Sequence, residues 1–161
     1  MRKETAFSGE SLEAMNHPGN DFKGFQFEDG YETVLLVEDE PSLRKLMSEI
    51  LCGRGYRVLE AANGQEAQFF VQKCIEGELH LLLTDVEMPG MGGRELAQKV
   101  QILHPEVKVL FTSGYPDDTD TRNATLQAGT VFLQKPFSTG LLIHKVREVL
   151  DSPAQTVVLP T

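Results

Sequence analysis

The sequence has no tryptophan, only two cysteines and no apolar run longer than a few residues. Runs such as 34–37 and 81–83 fall far short of the ~20 apolar residues that a membrane-spanning helix needs. Arg2 and Lys3 are followed at once by Glu4 and a polar stretch, so the start of the chain has no apolar signal-peptide core. Basic residues are scarce too: 15 Lys and Arg stand against 24 Asp and Glu, a net charge of −9. That balance argues against nucleic acid and anionic membrane surfaces, which recruit a basic footprint. Cys52 and Cys74 show neither CxxC nor Cys/His spacing. They read as buried or neutral thiols of a reducing compartment. His17, His80, His104 and His144 never recur at i, i+3 or i+4, so no histidine metal site is expected. The expectation is a soluble, cytoplasmic protein.

With 161 residues the chain is long enough for one domain and some spare length. Residues 1–30 hold scattered glycines and isolated aromatics with no apolar period, and are expected to be a flexible leader or linker. Residues 152–161 form a Pro-bounded tail, leaving 31–151 as the folded domain.

Within that domain the pattern alternates regularly. Thr33–Val37 is a β-rich apolar run, as expected of a strand buried on both faces. Pro41 suits the first turn of a helix, in which Leu43, Leu46, Met47, Ile50 and Leu51 form an apolar stripe. Further strands are predicted at 56–61, 79–84, 107–112 and 130–134, separated by helices. Ala67, Phe70, Val71 and Cys74 lie on the second helix, and Leu96, Val100 and Leu103 point inward on the third. A fourth helix at about 118–127 is poor in apolar residues and so expected to be exposed. The last, at about 138–150, buries Leu142, Val146 and Val149 or Leu150. Strands alternating with helices predict an α/β protein, its parallel sheet covered on both faces. In such folds ligands bind beyond the carboxyl ends of the strands.

Those ends carry matched chemistry. Glu38, Asp39 and Glu40 follow the first strand, Asp85 the third, Thr112 the fourth and Lys135 the fifth. If these strands are neighbours, one pocket gathers carboxylates, a hydroxyl and an ammonium. Crowded carboxylates are costly to keep ionised unless a cation joins them. A few hard oxygen ligands with room for water suit Mg²⁺ better than zinc or copper. Such a cluster, with a lysine opposite, can hold a dianionic phosphoryl group. One of its carboxylates can be the nucleophile, giving an acyl phosphate.

The stretches VLLVEDE, LLLTDVEMPGMGGREL, VLFTSGY and FLQKPF resemble, as a set, the receiver domains of bacterial two-component response regulators. They are most similar to receivers attached to hybrid sensor histidine kinases, over about 32–151. The resemblance implies a flavodoxin-like doubly wound (βα)5 fold with a five-stranded parallel sheet in the order 2-1-3-4-5. It implies that Asp85 accepts a phosphoryl group from a phosphohistidine. Mg²⁺ would be held by Asp39, Glu38 (through water), Asp85 and the backbone carbonyl of Glu87. Thr112 would donate its hydroxyl to the phosphoryl group and Lys135 would pair with it. The Lys135–Pro136 bond would be cis, and Phe132 would be the switch aromatic, beside Thr112. Glu87 and Gly114 occupy positions where the family tunes phosphoryl lifetime. The switching face would comprise the fourth helix, the fifth strand and the last helix.

The implied partners are a sensor histidine kinase or a histidine phosphotransfer domain, with a phosphorylation-dependent homodimer also open. No nucleic acid or membrane insertion is implied. Such a domain catalyses only its own phosphorylation and dephosphorylation. No output module fits in the short stretch after Leu150, leaving a free-standing regulator and a receiver detached from a hybrid kinase as alternatives. Two other readings compete. A phosphate-independent receiver-like module would have lost one of the key residues. A phosphohydrolase with an aspartyl intermediate would use Glu87 as its second acid, but usually carries the nucleophile after its first strand. Glu38-Asp39-Glu40 would repel the phosphate of a flavin cofactor.

Overall fold

The computed structural model describes residues 30–74, 77–114 and 130–153. Five strands alternate with helices: β1 (Thr33–Val37), α1 (Pro41–Cys52), β2 (Arg57–Ala61), α2 (Gly64–Lys73), β3 (Leu81–Asp85), α3 (Gly93–Leu103), β4 (Lys108–Ser113), β5 (Val131–Gln134) and α4 (Thr139–Asp151). The strands form one parallel sheet in the order β2-β1-β3-β4-β5, as the sequence implied. The helix expected at 118–127, the leader up to residue 29 and the tail from 154 lie outside the described residues.

Because side chains alternate across a strand, each strand feeds two cores. Leu35, Val37, Leu82 and Val109 pack against Ala67, Val71, Leu96 and Val100 of α2 and α3. Val34, Leu36, Leu81, Leu83 and Leu110 pack on the opposite face against Met47, Leu51, Leu142 and Val146 of α1 and α4. Every residue of β1 and β3 is buried, the signature of a sheet covered on both sides. Removing one such leucine side chain costs about 2–5 kcal/mol.

Local chemistry sets the helix starts. The Glu40 carboxylate accepts from the N–H groups of Ser42 (3.1 Å) and Leu43 (2.6 Å), with Pro41 in the first turn. Those two bonds hold the Glu40 carboxyl below the usual range. Asn63 accepts from Glu66 N–H, and Ser138 from Leu141 N–H, so side-chain oxygens satisfy orphan donors at α2 and α4 as well.

The structure corrects three details. Leu103 is not inward-facing but 52% exposed, because the α3 stripe advances by four residues from Val100 to His104, which is buried. Leu46 is also exposed; Met47 and Leu51 hold the centre of the α1 stripe and leave Leu46 at its margin. Cys52 is exposed at the end of α1 and Cys74 half-buried, both as free thiols. Burial pushes the Cys74 thiol pKa up. At the domain boundary Gly30 is buried and donates its N–H to Arg54 O at 2.7 Å. No helix of the described residues is long and apolar enough to cross a membrane.

Candidate functional site

The sheet order makes β1, β3, β4 and β5 consecutive neighbours, so the four carboxyl ends singled out by the sequence open on one pocket. Asp85 closes β3 and lies opposite Thr112 in the ladder. The ladder continues past Asp85, with Val86 N–H donating to Thr112 O at 3.0 Å, and both residues are therefore inside strands rather than after them. Glu38 follows β1 with its N–H bound to Ala61 O. Lys135 follows β5 with its N–H bound to Ser113 O. The Lys135–Pro136 peptide is cis, as the resemblance implied.

Carboxylate oxygens of Glu38, Asp39 and Asp85 lie within 4.8 Å of one another. The Lys135 ammonium bridges two of them, 2.8 Å from Glu38 Oε2 and 2.8 Å from Asp85 Oδ2. The other Asp85 oxygen accepts the Glu87 N–H at 3.1 Å. Glu38 and Asp85 are buried, whereas Asp39 and Glu87 are exposed. Three carboxylates against one ammonium leave the cluster with an uncompensated formal charge, which a divalent cation would balance.

The titration behaviour follows. Burial pushes the Glu38 carboxyl above its ordinary value, and the hydrogen bond and charge of Lys135 offset this only in part. Burial opposes the charged form of Lys135, but its bonds to Asp85 and Glu38 outweigh that and raise its pKa. The lysine thus stays protonated beside its two carboxylates.

Thr112 is buried, and its hydroxyl has no hydrogen-bond partner among the described residues. A buried hydroxyl left unpaired costs about 1–3 kcal/mol, which an arriving acceptor would recover. Together with the crowded hard-oxygen donors, that orphan fits a site for Mg²⁺ and a phosphoryl group. Phe132 does not touch the acids; it stands half-buried with its ring stacked on Phe111 at 5.4 Å. Gly114 is exposed, and no other described residue comes within 4 Å of where its Cβ would be.

Two contacts escaped the sequence. Gly93 brings the start of α3 against β3 so closely that a Cβ there would fall 2.0 Å from Asp85 O. Nothing in the sequence marks this approach. Arg44 reaches back from α1 to donate to Glu38 O at 2.7 Å. In the sequence it is merely a polar residue of an amphipathic helix.

Comparison with known proteins agrees with this geometry. The family model described as response regulator receiver domain matches residues 34–147. The chain is 42% identical over 122 residues to the sensor kinase CckA of Brucella abortus (strain 2308), matching 76% of this chain but 13% of that kinase. It is 32% identical to the response regulator receiver protein CpdR of the same organism, over 73% of this chain and 95% of the relative. It is 30% identical to the sporulation initiation phosphotransferase F of Bacillus subtilis (strain 168), over 74% and 94%. Among solved structures, the receiver domain from the hybrid histidine kinase CckA superposes with a TM-score of 0.63 at 35% identity, covering 74% of this chain and 99% of that domain. A buried acidic pocket at the strand ends of a 2-1-3-4-5 sheet and the match to this family coincide: the chain belongs to the response regulator receiver domains of two-component systems, a signalling family.

Proposed function

We propose that the domain accepts a phosphoryl group on Asp85 from a phosphohistidine of a sensor histidine kinase or a histidine phosphotransfer domain. The observation that carries this reading is the convergence on Asp85 of a lysine ammonium at 2.8 Å and a buried hydroxyl with no partner. An Asp85 carboxylate oxygen attacks phosphorus and forms the new P–O bond. The P–N bond of the donor breaks, and the imidazole nitrogen leaves with the electron pair and takes up a proton. Lys135 turns from its carboxylates toward the incoming phosphoryl oxygens, and Thr112 donates its hydroxyl to one of them. Asp39, Glu38, Asp85 and the Glu87 carbonyl would hold Mg²⁺, whose charge offsets that of the acids and of the phosphoryl oxygens. Phosphorylation adds about two negative charges; drawing in Thr112 and Lys135 would bias a two-state equilibrium through β4, β5 and Phe132. The helix expected at 118–127, which belongs to that switching face, is outside the described residues.

Partner docking has a matching surface. Leu43, Leu46, Met47 and Ile50 of α1 line an apolar groove with Pro136 and Phe137, and Lys135 stands at the same groove. A helical bundle laid there would bring a donor histidine alongside the acids.

The test is intact mass after incubation with a small acyl-phosphate donor, with and without Mg²⁺, for the wild type and D85N. A Mg²⁺-dependent gain of one phosphoryl group in the wild type alone is expected. No gain from either a small donor or a phosphorylated histidine partner would make the domain a phosphate-independent interaction module.

A further inference from the structure

Asp39 is the exposed member of the acid cluster, and its carboxylate has no hydrogen-bond partner among the described residues. Its position therefore depends on the backbone of the β1–α1 connection. Besides the α1 cap on Glu40 and the Lys135 bond to the Glu38 carboxylate, three bonds hold the backbone of that connection. Glu38 N–H is tied to Ala61 O at 3.2 Å, Glu40 N–H to Glu38 Oε1 at 3.2 Å, and Glu38 O to Arg44 Nη1 at 2.7 Å. Only the last comes from a cationic side chain, and that side chain is itself steered. Glu60 on β2 stands 3.9 Å from Arg44 Nε, and Ser48 Oγ donates to Glu60 Oε1 at 2.7 Å. The chain Ser48–Glu60–Arg44–Glu38 thus runs from the middle of α1 across β2 to the carbonyl joining the two β1 acids. The Arg44 side chain is about four-fifths buried.

We infer that Arg44 is a positioning residue, which fixes the Glu38 carbonyl so that Asp39 and Glu38 present their carboxylates together to a divalent cation. This rests on reading the acid cluster as a Mg²⁺ site. Positioning and simple electrostatics predict opposite effects of removing Arg44. Arg44 is a cation beside a cation site, so by Coulomb's law alone its removal should tighten Mg²⁺ binding. If Arg44 orients the ligands, its removal loosens binding, as losing an outer partner does at other metal sites.

The experiment is calorimetric titration of Mg²⁺ into the unphosphorylated full chain, for the wild type, R44M, R44K and E60Q, with D39N as control. Amide exchange of Asp39 and Glu40 is followed in the metal-free proteins. Expected are a Kd about tenfold weaker in R44M, a smaller loss in R44K, which keeps the charge and one donor, and a smaller loss in E60Q. Exchange at Asp39 and Glu40 should accelerate in the same order without metal. Thermal melting shows whether R44M stays folded; should it not, R44K and E60Q carry the comparison. Unchanged or tighter Mg²⁺ binding in the folded variants overturns the positioning role. Wild-type protein that binds Mg²⁺ no better than D39N overturns the metal reading itself, and the inference with it.

Discussion

Thr112 lies directly opposite Asp85 in the parallel ladder of β3 and β4, and its buried hydroxyl has no hydrogen-bond partner among the described residues. Valine has nearly the same shape without the hydroxyl. T112V should therefore raise the stability of the unphosphorylated domain by up to about 1 kcal/mol, since an unpaired buried group is removed. On the proposed role of Thr112 as donor to the phosphoryl group, it should also slow phosphorylation by about tenfold. Urea unfolding and intact-mass kinetics measure the two effects. A variant both less stable and equally fast would contradict this account.

Lys135 bridges two carboxylates at once. K135M should destabilise the metal-free domain by about 1–2 kcal/mol, less than a fully buried pair would lose because the lysine is partly exposed. Added Mg²⁺ should restore most of that loss by mass action. Melting curves with and without Mg²⁺ give the comparison. The raised Lys135 pKa sets the pH range: the contribution is complete below the ordinary lysine value and vanishes only as pH climbs through the higher folded one.

Glu38 also lowers stability as pH rises, but in the carboxylate range and through the cost of its own charge. Its folded pKa is raised by burial, so its protonated form is favoured in the folded state, and stability falls as pH rises from the ordinary carboxylate value through the folded one. E38Q should then melt a few degrees higher than wild type at pH 7 without Mg²⁺. The gain should shrink below pH ~4.5, where both states are protonated. Scanning calorimetry across that range tests the sign.

Far from the pocket, Glu32 accepts from Arg147 at 2.7 and 3.3 Å, and Arg147 also reaches Asp151 and Tyr56 Oη. Burial alone would raise the Glu32 pKa, but its hydrogen bonds, from Arg147 foremost, bring it below the usual range. The stabilisation is therefore present above the ordinary Glu value and lost as pH falls through the folded one. R147A should cost about 1–2 kcal/mol at pH 7, with the gap to wild type narrowing toward pH 3. Its phosphorylation rate should not change.

The sequence revealed the site because its chemistry is written at strand ends. The apolar run of β1 and the leucines that lead up to Asp85 can be read without coordinates, since a strand buried on both faces is mostly apolar. What stayed hidden depends on approach distances. Leu103 reads as a core residue until the helix phase shows His104 in its place. Gly93 shows nothing of its packing until the Asp85 carbonyl is seen where its Cβ would be. Arg44 carries no signal, because its role lies in a hydrogen bond to a backbone atom six residues away. Register decided the rest: Asp85 faces Thr112 only because β3 and β4 pair without offset.

β5 has only four residues and is an edge strand of the sheet formed by the described residues, yet it delivers Lys135. Fraying begins at such short edges, and every opening of β5 carries the counter-charge away from Glu38 and Asp85. Occupancy of the pocket and the mending of the sheet's rim are consequently one thermodynamic event. A ligand that holds Lys135 in place staples the border strand, and whatever peels that strand back erodes affinity for the ligand by the same free energy.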